Sequence, residues 1–155
     1  MIQRIQSIYL FLVFAFSVVM LFTPLVTFLA VSQPDGIVLK AFHYTTLTNE
    51  VFPESSILFS LGGVISLVAI LSLVAIFLFK NRALQIRLSI YIMIFLVAIM
   101  GLIYFYSYKI VADNEVDYKV HVFALFPIIS IILAFLAFNA IRKDEALIKS
   151  INRIR

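Results

Sequence analysis

The side chains able to move a proton or hold a metal are few: two histidines, His43 and His121, eight carboxylates and no cysteine. Their densest grouping is Asp113, Glu115, Asp117 and His121. Alternating carboxylates of this kind can bind Ca²⁺ or Mg²⁺, and His43 and Glu50 could complete such a set from an earlier segment. The spacing fits no calcium-loop pattern, however, and Lys109 and Lys119 flank the group. A solvated acidic loop is expected, with no metal site and no cofactor. Catalysis within a membrane has other requirements. A metalloprotease needs a His-Glu helix motif, and serine chemistry needs a histidine at the same depth as the serine. An ion-coupled transporter needs an ionisable residue in mid-span. None of these is present, so the expectation is a protein that is not an enzyme.

The elements that would position these residues follow from composition. Of 155 residues, 64% are apolar and 13% charged, and the mean hydropathy is +1.13. A soluble domain carries roughly 25% charged residues, so lipid must be the main solvent. Stretches 5–34, 55–79, 88–108 and 120–141 contain no Asp, Glu, Lys or Arg. About 20 apolar residues in a helix cross the ~30 Å hydrocarbon layer, and helices satisfy their own backbone there. The spacing predicts spans at 3–24, 56–79, 88–108 and 121–141, followed by a tail at 142–155.

The first stretch is too long for one span. Pro24 offers an end, and two β-rich runs then surround Gln33-Pro34-Asp35-Gly36. That pattern predicts a short external β-hairpin near 26–46. Ala30-Val31-Ser32 offers small residues for signal cleavage, but the apolar run before it far exceeds the ~7–15 residues of a signal core. An uncleaved first span is expected.

Orientation follows from charge. With the amino terminus inside, Arg4, Lys80, Arg82, Arg87, Arg142, Lys143, Lys149, Arg153 and Arg155 are cytoplasmic, which is nine of the twelve basic residues. Lys40, Lys109 and Lys119 are external, with six of the eight acids; only Asp144 and Glu145 are inside. Basic residues are retained on the cytoplasmic side, so both termini are expected there. Tyr104, Tyr106, Tyr108 and Tyr118 then fall at headgroup depth, which suits amphipathic rings.

Three further features concern packing and partners. Ser56, Ser60, Gly62, Gly63 and Ser66 place small residues three and four apart, as close helix contacts require; they are expected to pack within the bundle. Pro127 is expected to kink the fourth span. In the tail, Leu147, Ile148, Ile151 and Ile154 share one helical face while Lys149, Arg153 and Arg155 lie elsewhere, and Glu145 can pair with Lys149. This predicts a basic amphipathic helix, lying on anionic lipid, docked on a partner or touching ribosomal RNA.

Three segments carry a resemblance. Met1-Ile2-Gln3-Arg4-Ile5-Gln6-Ser7-Ile8-Tyr9-Leu10, Phe79-Lys80-Asn81-Arg82-Ala83-Leu84-Gln85-Ile86-Arg87-Leu88 and Ile141-Arg142-Lys143-Asp144-Glu145-Ala146-Leu147-Ile148-Lys149-Ser150, with Arg153-Ile154-Arg155, resemble in order a Bacteroidota family of four-span membrane proteins. That family is catalogued as domain of unknown function 4293. Ile151-Asn152 stands where Ala-Asp is expected. The resemblance implies a four-helix fold in a bacterial inner membrane and no activity.

The fold class expected is therefore an all-α membrane protein: a four-transmembrane-helix bundle with an external hairpin and a cytoplasmic amphipathic C-terminal helix. The function expected is a non-enzymatic accessory, scaffold or assembly subunit of a larger membrane complex. The alternative is a protein handling a lipid or small lipophilic ligand in a cleft among its helices.

Overall fold

The computed structural model describes residues 3–30, 33–46, 59–78, 81–113 and 116–152. Helix α1 (Gln3–Phe22) leads into strands β1 (Val26–Ala30), β2 (Gln33–Leu39) and β3 (Tyr44–Thr46). Helices α2 (Phe59–Phe77) and α3 (Arg82–Asp113) follow. Strand β4 (Val116–Val120), a 3₁₀ turn (Val122–Leu125) and helix α4 (Phe126–Asn152) complete the chain. Helix α1 packs on α2 and α4, and α3 packs on the same two, which closes a four-helix ring. All four helices are long and apolar enough to cross a membrane, yet only 22% to 39% of each candidate span is buried. Apolar side chains thus face outward around the ring, an arrangement that water would penalise and lipid does not.

The helices depart from their expected ends for physical reasons. α1 stops just before Pro24, which lacks the N–H that another turn would use. At 32 residues, α3 is about 48 Å long at 1.5 Å per residue, well beyond the ~30 Å apolar layer. Its charged ends contain no Gly or Pro to stop it, so the helix continues past 88–108 in both directions. α4 begins at Phe126, later than expected, after the 3₁₀ turn. Pro127 therefore falls in the first helical turn, where no earlier carbonyl awaits its missing N–H. This corrects the expected mid-span kink.

β-structure is more extensive than one hairpin. The sheet has the order β3-β2-β1-β4, all antiparallel. Ala30 pairs with Gln33, which takes Pro34-Asp35-Gly36 into β2 and away from the reversal. β4 comes from the segment read as an acidic loop, and it pairs with β1 along its whole length, Phe28 opposite Tyr118. Phe28 is 1% exposed, and Leu25 and Leu39 are fully buried. One sheet face thus shares its core with the helix ends.

Among the small residues, Gly62 has a specific role. A methyl group there would drive well inside van der Waals contact of the Phe42 ring, which comes from the turn between β2 and β3. The expected helix-to-helix contact at this point is instead a contact between helix and sheet turn. Gly63 faces open space. Gly63→Ala should stabilise the helix by up to ~1 kcal/mol, whereas Gly62→Ala should cost ~1–3 kcal/mol from overpacking. Reversible unfolding in mixed detergent checks the difference, and Phe42→Ala should cancel the Gly62→Ala penalty.

Candidate functional site

The two ends of the bundle differ chemically. At the sheet end, α3 carries Met100, Ile103, Tyr104, Ser107, Tyr108 and Val111 on one stripe of helical spacing. The two-residue period of β4 turns Tyr118 and Val120 toward that stripe, and the 3₁₀ turn and α4 contribute Ala124, Leu125 and Ile128. These residues enclose a groove of about 440 Å³. That volume falls in the range of small-molecule sites, and the lining is almost wholly apolar. The exception within it is Ser107, whose Oγ is buried with no hydrogen-bond partner among the described residues. Tyr104 and Tyr108 stack at the rim, their ring centroids 6.3 Å apart, and both are mostly exposed, as is Tyr118.

Tyr106 behaves differently from its neighbours. It is 4% exposed, and its hydroxyl meets that of Ser60 across the contact of α2 and α3. Tyr104, Tyr108 and Tyr118 are thus turned outward, while Tyr106 points inward. A step of two along a helix turns a side chain by about 200°, so three alternate tyrosines cannot share one face. Nearby on β3, burial pushes the Tyr44 phenol up to about 12, and the charge of an ionised Tyr106 adds to the shift. Between pH 10 and 12 the folded chain keeps a proton that the unfolded chain has lost. Stability is thus full below pH 10 and falls as pH rises toward 12. Phenolate absorbance should show one late-ionising tyrosine that Tyr44→Phe removes, and the alkaline loss of stability should diminish with it.

His121 is removed from the acidic grouping by its own bonds. Its ring Nε2 lies 2.8 Å from Thr27 Oγ1, and its backbone N–H donates to the Leu25 carbonyl. Asp117 stands exposed on β4. Glu50 and Glu115 lie outside the described residues.

At the opposite end, Gln6 on α1 donates its side-chain N–H to the Asp144 carboxylate on α4, and both residues are buried. Gln85 donates to the Ala75 carbonyl and joins α3 to α2. Arg87, Arg142 and Lys143 are exposed, with the Arg142 guanidinium 5.4 Å from the Phe138 ring centroid. Arg82 is half-buried, and its Nη1 has no hydrogen-bond partner among the described residues. These four basic residues share one end of the bundle. Lys80, Arg153 and Arg155, and the side chains of Arg4 and Lys149, lie outside the described residues, as does Ser56. Of the remaining small residues, Ser66 donates to the Gly62 carbonyl of its own helix.

Sequence reasoning missed the groove and β4. The alternation Val116-Asp117-Tyr118-Lys119-Val120 was the available signal, masked by its charges. A family model described as "Domain of unknown function (DUF4293)" matches residues 2–154. No curated protein matches the chain.

Proposed function

From the premise that this chain belongs to the family of the domain of unknown function DUF4293, we propose that it is a multi-pass protein of a bacterial inner membrane that holds one lipophilic chain in the groove at its sheet end. Both termini are cytoplasmic, the sheet is external, and no reaction is catalysed. The observation carrying this reading is the groove itself, about 440 Å³ with an almost wholly apolar lining. An apolar chain fills such a space and removes its lining from water. Charge supports the orientation, since Arg82, Arg87, Arg142 and Lys143 gather at the end away from the sheet.

The test is lipid retention. Protein purified in mild detergent should carry about one tightly held lipid per chain by native mass spectrometry. Ser107→Phe fills the groove and should lower retention about tenfold, equivalent to ~1.4 kcal/mol, while the bundle unfolds as before. Wild type carrying no such lipid, or Ser107→Phe retaining as much, would end the proposal.

A second reading draws on the other end. Asp144 is turned into the bundle by Gln6, which removes one of only two acids from a face holding Arg87, Arg142 and Lys143. That basic face suits anionic headgroups or an acidic partner, and supports an accessory or assembly subunit. The α4 helix runs on through the tail to Asn152, which extends this surface into the cytoplasm. Affinity capture through an external tag should recover a second membrane protein; recovery of this chain alone would sink that role.

A further inference from the structure

Among the described residues the strand order leaves β4 at one edge of the sheet. Residues 117–120 are all exposed, and an uncovered edge strand is a template for pairing with another chain. Which backbone groups point outward is fixed by register. The His121 N–H bonds the Leu25 carbonyl, and Thr27 and Leu29 pair with Lys119 and Asp117. Alternation along an antiparallel ladder then turns the N–H and C=O groups of Val116, Tyr118 and Val120 away from β1.

The residues along that edge are complementary to themselves. Written as Val116-Asp117-Tyr118-Lys119-Val120, the strand keeps its pattern when reversed, except that acid and base exchange places. Against an antiparallel copy centred on Tyr118, Asp117 faces Lys119 of the second copy, Lys119 faces its Asp117, and Tyr118 faces Tyr118. Opposite charges and paired aromatics across strands both stabilise a sheet. A lysine on an edge ordinarily repels pairing; here its own copy supplies the neutralising carboxylate.

We propose that β4 is the seam of a homodimer, in which two copies in one membrane pair their β4 strands antiparallel about Tyr118 and merge two four-stranded sheets into one. The two-fold axis of such a pair stands perpendicular to the sheet. The face bearing Val26 and Phe28 is turned to the helices, so the axis leaves both bundles on the same side of the joined sheet. One bilayer requires that arrangement of a symmetric pair. The inference is independent of what fills the groove.

The chain has no cysteine, so a single introduced one gives a clean readout. In the proposed register the Tyr118 backbones form a hydrogen-bonded pair with Cα atoms ~5.5 Å apart, within disulfide range. Tyr118→Cys in native membranes should therefore cross-link to a dimer under mild oxidation. Lys119→Cys and Val120→Cys face other residues and should cross-link far more slowly. In a Tyr118→Cys background, adding Asp117→Lys opposes two lysines and should lower the cross-linked fraction about tenfold, ~1.4 kcal/mol. Adding Lys119→Asp as well should restore it. Single-molecule photobleaching of wild type should independently give two subunits. A monomer there, equal cross-linking at all three positions, or indifference to the charge swap would overturn the seam. A cross-linked product of another mass would assign the edge to a different partner and overturn it too.

Discussion

Replacing Gln6 by leucine should destabilise the bundle by ~1.5–3 kcal/mol, because it leaves the buried Asp144 carboxylate without the amide that bonds it. Asp144→Leu alone should cost ~1–3 kcal/mol through the orphaned amide of Gln6. The double variant, with both groups gone, should unfold close to wild type. That non-additivity is the signature of a direct pair, and it is measured by reversible unfolding in mixed detergent. Costs that simply add would mean that each residue acts through separate contacts. The pair also joins the first turns of α1 to the C-terminal part of α4. Gln6→Leu should accordingly raise proteolysis near Lys143 more than cleavage at the sheet end.

The largest single cost is expected at Phe28. Phe28→Ala should remove ~3–5 kcal/mol, the usual price of emptying an aromatic core position. Its side chain is 1% exposed and lies in the sheet, where the unfolded reference is water. Leu96 is buried to the same degree, but on α3 within the apolar span. There the alternative environment is lipid, which is as apolar as leucine, so only packing is lost. Leu96→Ala should cost roughly half as much as Phe28→Ala. Equal penalties would indicate that the sheet is less exposed to water than its position beyond the helix ends implies.

How much of this was legible in the sequence differs by element. The four spans were visible because a charge cannot sit cheaply in mid-bilayer, so charge-free stretches mark them directly. Their ends were not, because Arg82–Asp113 continues as helix through charged residues that water tolerates on either side. Pro127 was misplaced for a related reason: apolar content does not distinguish a 3₁₀ turn from the first turn of α4. Pro24 was informative because it sits where α1 has to stop. β4 was hidden by Asp117 and Lys119, whose charges suggested a loop although Val116, Tyr118 and Val120 alternate with them. Gly62 was recognised as a close-contact position, but its partner, the ring of Phe42, comes from a turn that no helical spacing could reveal. The groove required α3, β4 and α4 to be placed together, and no single segment contains it.

The sheet has a consequence for how the protein is made. β1 leaves the ribosome early and can pair with β2 at once, but its other edge belongs to β4, about ninety residues later in the chain. Until α2 and α3 have been threaded through the bilayer, that edge of β1 has no mate. Closure of the sheet can therefore occur only after α3 has been made, and it acts as a latch that fastens the segment after α1 to the segment before α4. Truncation before Val116 should leave the early strands open to protease, whereas chains that reach Val120 should be protected.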